Sequence, residues 1–247
     1  MGNLIDLLKP KYEPVAIYRS KEVPEGAEAP MKEHCIVGSV LVPAFNGKTI
    51  AASKENVGCA GALNGLGFGG EDEEHRKSLL EIYSSGIEGR PGRLFFCCPE
   101  TAQKNYADKV PVYGDGTDVV VLQPLTEAEK AGAPVETVVF LVNPLEYSAL
   151  VTLAGFFREI DDSVVRSMFA LACEQIYAMP RQEGESDKPR MVLGMTEFYP
   201  RRFIDPDRMT LSMPYNLYKS LDDDCPYSFL KDDRWREAAQ SKKCEHC

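Results

Sequence analysis

No apolar run in this chain approaches the roughly 20 residues needed to span a bilayer, so no transmembrane helix is expected. Basic charge is also scarce. Lys and Arg number 28 against 38 Asp and Glu, giving a net charge of −10. Such a balance repels a phosphate backbone or an anionic membrane unless basic residues concentrate locally. Only short clusters such as Arg201–Arg202 and Lys242–Lys243 do so. Neither a nucleic acid nor a membrane surface is therefore an expected partner. The opening MGNLIDLLKPKYEP lacks a basic segment followed by an apolar one, which argues against a secretory signal. Gly2 stands without the Ser or Thr that myristoylation asks for at position 6, which is Asp6. The expected compartment is the cytoplasm. Standard catalytic motifs are missing too: there is no GxSxG, no HExxH and no Walker A lysine. GLGFGG contains a Gly-x-Gly, but not in the strand–turn–helix order of a dinucleotide fingerprint.

What is present is an ordinary globular composition. The 247 residues are 44% hydrophobic and 27% charged, enough for one sizeable core. Val15–Tyr18, Lys48–Ala52, Met191–Met195 and Met209–Met213 read as strands. TDVVVLQP and VETVVFLVNP read as strands covered on both faces, because they are β-branched and lack polar alternation. Tyr147–Phe157, Asn216–Leu221 and Asp232–Lys243 read as helices, and so does Glu73–Ser85. Ser163–Ile176 also has helical spacing, with apolar residues at Val164, Val165, Met168, Phe169, Leu171, Ala172 and Ile176. The expected fold is one α/β domain over residues 1–247, a mixed central sheet with helices on both faces. A Cys-containing tail begins at about residue 222.

The eight cysteines carry the best functional signal. Without an export signal their default state is a free thiol or a metal thiolate. Cys59 precedes Ala-Gly-Ala in a segment with glycines at 58, 61, 65, 67, 69 and 70. A helix starting at Ala60 would aim backbone N–H groups at the sulfur and favour a thiolate. Gly58 and Gly61 would let another group approach the backbone. The plain alternative is a buried Cys in a tight turn. Cys244-Glu-His-Cys247 is a Cys-x-x-Cys pair, with Cys225 further upstream. These three, completed by Cys59 or Cys173, could hold zinc or an iron–sulfur cluster. Incidental thiols in an exposed tail are the alternative. Cys173 lies on an apolar stripe and reads as core; Cys35, preceded by His34, is a reserve ligand. Cys97–Cys98 read as packing residues, or one as a minor ligand.

The segments YEPVAIY, ENVGCAGALNGLGFGG, VVFLVNPLEYSALVTLA, KPRMVLGMTEF, LSMPYNLYKSL and YSFLKDDRW occur in an order that resembles the uncharacterised ArCR family, a prokaryotic domain of unknown function. The resemblance runs from about Tyr12 to about Trp235. It implies that Cys59, followed by small residues, and Cys173 form a site together. Cys97–Cys98 and the terminal CEHC depart from the family pattern.

Two functions from different classes follow. One is a thiolate-ligated metal or iron–sulfur protein, redox-linked, with Cys59, Cys173, Cys225, Cys244 and Cys247 as ligands and a redox protein or small molecule as partner. Soft thiolates select zinc, copper(I) or iron–sulfur clusters. The other is a binding protein or enzyme for a small anion, with segment 58–70 supplying backbone donors and Cys59 a thiol. A structural protein with packing cysteines is the bland third.

Overall fold

The computed structural model describes residues 3–31, 34–69, 77, 80–81, 83–107, 111–114, 118–156, 158–159 and 162–240. At its centre lies a seven-stranded mixed sheet of β1 (Val15–Ser20), β2 (Ile50–Ala52), β5 (Val119–Pro124), β6 (Thr137–Val142), β7 (Val165–Ser167), β8 (Met191–Leu193) and β9 (Met209–Pro214). A small hairpin pairs β3 (Gly86–Ile87) with β4 (Arg90–Pro91). The order across the large sheet is β2-β5-β1-β6-β9-β8-β7. All its strand pairs are antiparallel except β7 with β8.

The expected pair of doubly covered strands is β5 and β6, in which every residue is buried. They flank β1, whose Val15 faces Pro124 on one side and Val139 on the other. Successive side chains of a strand point to opposite faces, so the sheet divides the interior in two. Val15, Ile17, Val120, Leu122, Val139 and Leu141 enter one core. Ala16, Tyr18, Val121, Val138 and Phe140 enter the other. The first core is roofed by a π-helical turn at Val37–Leu41 running into α2 (Val42–Phe45), by α3 (Ala60–Gly65), and by a second π turn at Glu174–Ala178. The second core packs α1 (Asn3–Leu8), α6 (Pro144–Ala154) and α8 (Tyr215–Asp224). Two further short helices are α4 (Pro99–Ala102) and α5 (Leu125–Lys130), and α7 (Met179–Glu183) continues the second π turn. Helix α9 (Asp233–Gln240) docks through Trp235, whose ring meets Phe229 edge-on. This is the α/β fold with a mixed sheet and helices on both faces.

Asn143 starts α6 with a capping box: its side chain accepts from the Glu146 N–H while the Glu146 carboxylate accepts from the Asn143 N–H. Glu146 is used a second time, by the buried Arg208 guanidinium at 2.8 Å. That pair fixes the start of α6 to the loop before β9.

One expected element is corrected. The apolar spacing over Ser163–Ile176 does not make one helix. Val165–Ser167 forms the edge strand β7, and helical structure starts only at Ala172. The apolar set is shared between the two cores: Val164 and Val165 pack on the second, Leu171, Ala172 and Ile176 on the first. No single face collects them, so periodicity misleads here. The helix expected over Glu73–Ser85 lies mostly outside the described residues.

Candidate functional site

Helix α3 begins at Ala60, with Cys59 as the preceding cap residue in extended backbone (φ −117°, ψ 117°). The Cys59 side chain makes no capping hydrogen bond. The glycines of this segment have separate local causes. A Cβ at Gly61 would stand 2.7 Å from the Tyr83 hydroxyl, and one at Gly65 would stand 2.5 Å from the carbonyl carbon of Cys173. The 61/65 spacing thus gives α3 a bare face, one turn apart, against which the segment carrying Cys173 lies backbone to backbone. Gly67 and Gly69 have φ of +73° and +82°, which end the helix. Gly58 is exposed beside Cys59. Gly61 serves close packing, and its carbonyl accepts a hydrogen bond from the Cys173 thiol at 2.9 Å.

Around this contact several chemically capable groups gather from distant parts of the chain. Cys35 and Cys59 are half-buried and both pack on the first core, which contains Cys173. Burial pushes the Cys173 thiol pKa well above its ordinary value, and the neighbouring Glu174, Cys59, Glu197 and Cys35 add to the rise. Cys173 is therefore a protonated donor rather than a nucleophile. Burial also pushes Cys35 up; the Val37 backbone opposes this, and Cys59 and Glu197 reinforce it. Tyr83 is the hub. Burial raises its hydroxyl well above the usual range, Cys173 and Cys59 raise it further, and Arg93 works against them. The Arg93 guanidinium lies 5.7 Å from the Tyr83 ring centre and 4.0 Å from the Glu197 carboxylate. Glu197 in turn accepts from the Ala172 N–H at 3.2 Å, at the start of the helical segment bearing Cys173.

An aromatic rim borders this cluster. Phe95 stacks on Tyr83 at 6.1 Å and meets Phe169 and Phe198 edge-on at 5.6 and 5.7 Å. Phe96 touches Phe169 at 5.6 Å. Phe198 is 70% exposed and Leu94 75%. Large apolar side chains left in water as a group mark a binding surface.

The other sequence candidates are placed elsewhere. Cys225 is fully buried in the second core, its thiol donating to the Asp222 carbonyl at 3.2 Å. The sheet separates it from Cys59 and Cys173, so those three thiols do not converge. Cys244 and Cys247 lie outside the described residues. Cys97 is exposed and Cys98 half-buried; their sulfurs are 3.9 Å apart and both contact the Thr101 hydroxyl. Among the described residues, no three His, Cys, Asp or Glu side chains stand in a group able to hold a metal ion, and no helix is long and apolar enough to cross a membrane.

Tyr83, Arg93, Glu174 and Glu197 are the site residues that sequence reasoning missed. Two weak signals existed. Glu174 interrupts the apolar stripe LACEQIY, and Glu197 follows the apolar run of β8.

The family model described as Uncharacterised ArCR matches residues 3–222. The chain belongs to this family. Neither a curated protein nor a solved structure matches it significantly. The ArCR match covers the first core, most of the second and every residue of the Cys59 cluster.

Proposed function

We propose that this ArCR protein binds a small anion with a flat apolar body and presents Cys59 to it as a free thiol. The observation that carries this reading is the approach of Arg93, Cys59 and Cys173 to one buried phenol, Tyr83, at the edge of an exposed aromatic rim. Arg93 supplies positive charge in a strongly acidic chain, and its guanidinium is fixed between two tyrosine rings, 5.7 Å from Tyr83 and 5.0 Å from Tyr199. Phe95, Phe169 and Phe198 offer ring edges and faces for a planar ligand. Cys35 and Cys59 both join partial exposure to a position at a helix start, and Cys59 is the one whose helix packs on the Cys173 segment.

The test uses two aromatic disulfides, an anionic dithiobis(nitrobenzoate) and a neutral dipyridyl disulfide, with the labelled cysteine read by mass spectrometry. Cys59 should react with the anionic reagent faster than Cys35, Cys173 or Cys225. Arg93→Ala should slow that reaction about tenfold, the scale of electrostatic steering, and leave the neutral reagent unaffected. Equal slowing of both reagents, or no preference for Cys59, would overturn the reading.

A second reading is a soft metal ion or iron–sulfur cluster held by thiolates, with zinc as the alternative metal. It draws on Cys35, Cys59 and Cys173 packing on a single core; these thiols form no ligand group among the described residues, so Cys244 or Cys247 would have to complete it. Purification without oxygen followed by assay of iron, sulfide and zinc decides it. Stoichiometric metal that is lost in Cys59→Ser supports it, and a metal-free protein with eight titratable thiols sinks it.

A further inference from the structure

Against the segment that bears Cys173, a half-open pocket of about 30 Å³ lies between β7, the second π turn and the segment after α4, room for a carboxylate head whose body stays at the mouth. Its walls include Asn105, Arg166, Phe169, Glu174, Met179 and Gln182. Glu174 is the unusual member. It is 3% exposed, and its Oε1 has no hydrogen-bond partner among the described residues. Leaving a buried polar atom unpaired costs about 1–3 kcal/mol, so an unpaired carboxyl oxygen beside a pocket is a specific feature.

Arg166 and Glu174 are the ionisable side chains on this wall. The charge count around them is uneven. Arg166 approaches the Glu183 carboxylate at 3.4 Å, but Arg190 already holds both oxygens of Glu183, at 2.8 and 3.0 Å. Two guanidiniums therefore share one carboxylate, which leaves a unit of positive charge at the pocket. Burial pushes the Glu174 carboxyl well above its usual range; a backbone hydrogen bond with Leu171 opposes this, and the nearby Glu197 charge adds to the rise. Glu174 is thus a neutral acid with an O–H to donate. Asn105 and Gln182 add amide N–H groups to the same wall. The rest is apolar, led by Phe169 and Met179.

We propose that this pocket binds a small carboxylate, its oxygens taken by Arg166 and by the unpartnered Glu174 carboxyl, its apolar body against Phe169 and Met179. A cation is disfavoured by the same wall. It would meet Arg166, and it would require Glu174 to ionise in the field of Glu197. The pocket shares Phe169 with the aromatic rim, and the two proposals are separated by their arginines: benzoate binding that Arg166→Met weakens and Arg93→Ala does not reports on this pocket, and binding that only Arg93→Ala weakens overturns it.

Benzoate and benzamidinium have one shape and opposite charge, so the unmodified full chain can decide by isothermal titration. Benzoate should bind and benzamidinium should not. Glu174→Gln should keep benzoate affinity within about threefold, since an amide N–H replaces the acid O–H. Arg166→Met should weaken it at least about tenfold, the loss of one charge-assisted hydrogen bond. Circular dichroism checks that each variant folds. Binding of benzamidinium that Glu174→Gln abolishes would make this a cation site and overturn the proposal. Binding of neither probe to the unmodified chain would also overturn it.

Discussion

Gly65 and Cys173 touch through their backbones: a Cβ placed on Gly65 would come within 2.5 Å of the Cys173 carbonyl carbon and 2.7 Å of the Glu174 nitrogen. Both neighbours are main chain, which cannot swing aside as a side chain can. Gly65→Ala must therefore push α3 off the Cys173 segment. Overpacking of this kind costs about 1–3 kcal/mol, a fall in Tm of several degrees for a chain of this size. The displacement should also expose Cys173 to thiol reagents. Gly155 is the control. A Cβ there meets nothing closer than 3.6 Å, and Gly155→Ala should leave both Tm and labelling unchanged.

The buried acid at Glu174 gives a pH dependence whose sign is fixed. Burial raises its pKa in the folded chain, while the unfolded value is the ordinary one of about 4.3. Below that value both states hold the proton and the contribution to stability is complete. As pH rises towards the folded value, the unfolded chain ionises and the folded chain does not, so stability is lost. Glu174→Gln removes the loss. Its Tm should exceed that of the unmodified protein at pH 7, with the gap closing towards pH 4. A gap that stays constant across this range would show that Glu174 is ionised in the fold.

The main outline of this fold was legible because β5 and β6 are runs of β-branched and apolar residues with no polar alternation. Such runs fit a strand covered on both faces, and the structure buries them on both. The start of α3 at Ala60 was legible from the small residues after Cys59. The family resemblance implies that Cys59 and Cys173 share a site; the packing of the bare 61/65 face of α3 on the Cys173 segment is invisible until α3 is placed. Tyr83, Arg93 and Glu197 were not legible. Each is an ordinary residue locally and becomes a site residue only through partners more than a hundred positions away or across a loop. The run 163–176 was misread because periodicity presumes one buried face, while this segment crosses from one core to the other at Met168 and Phe169.

Arg208 and Glu146 form a nearly water-free ion pair, with side chains 6% and 10% exposed and a separation of 2.8 Å. Arg208 also donates to the Leu141 carbonyl at 2.8 Å, and Glu146 serves the Asn143 cap. Arg208→Met leaves the Glu146 carboxylate buried without its cation, which should cost about 3–5 kcal/mol and lower Tm by on the order of 10 °C. Adding Glu146→Gln removes the stranded charge, so the double variant should recover part of the loss. Full additivity of the two single changes in thermal melts would show that the pair is uncoupled.

Cys225 offers the cleanest separation between a packing cysteine and a working one. It is fully buried among Leu4, Leu221 and Leu230 in the second core, and burial, followed by the charges of Asp222 and Asp224, pushes its thiol up to about 12. Such a thiol stays protonated and unreactive at neutral pH. The intact sheet lies between it and Cys59. Cys225→Ala should therefore cost only the packing of one sulfur, about 1 kcal/mol, and should leave the rate at which the anionic disulfide labels Cys59 unchanged. Cys59→Ser should do the reverse, sparing Tm and removing the fast-labelling thiol. If Cys225→Ala instead slowed Cys59, the two cores would be coupled through the sheet, and the division of labour between its faces would be wrong.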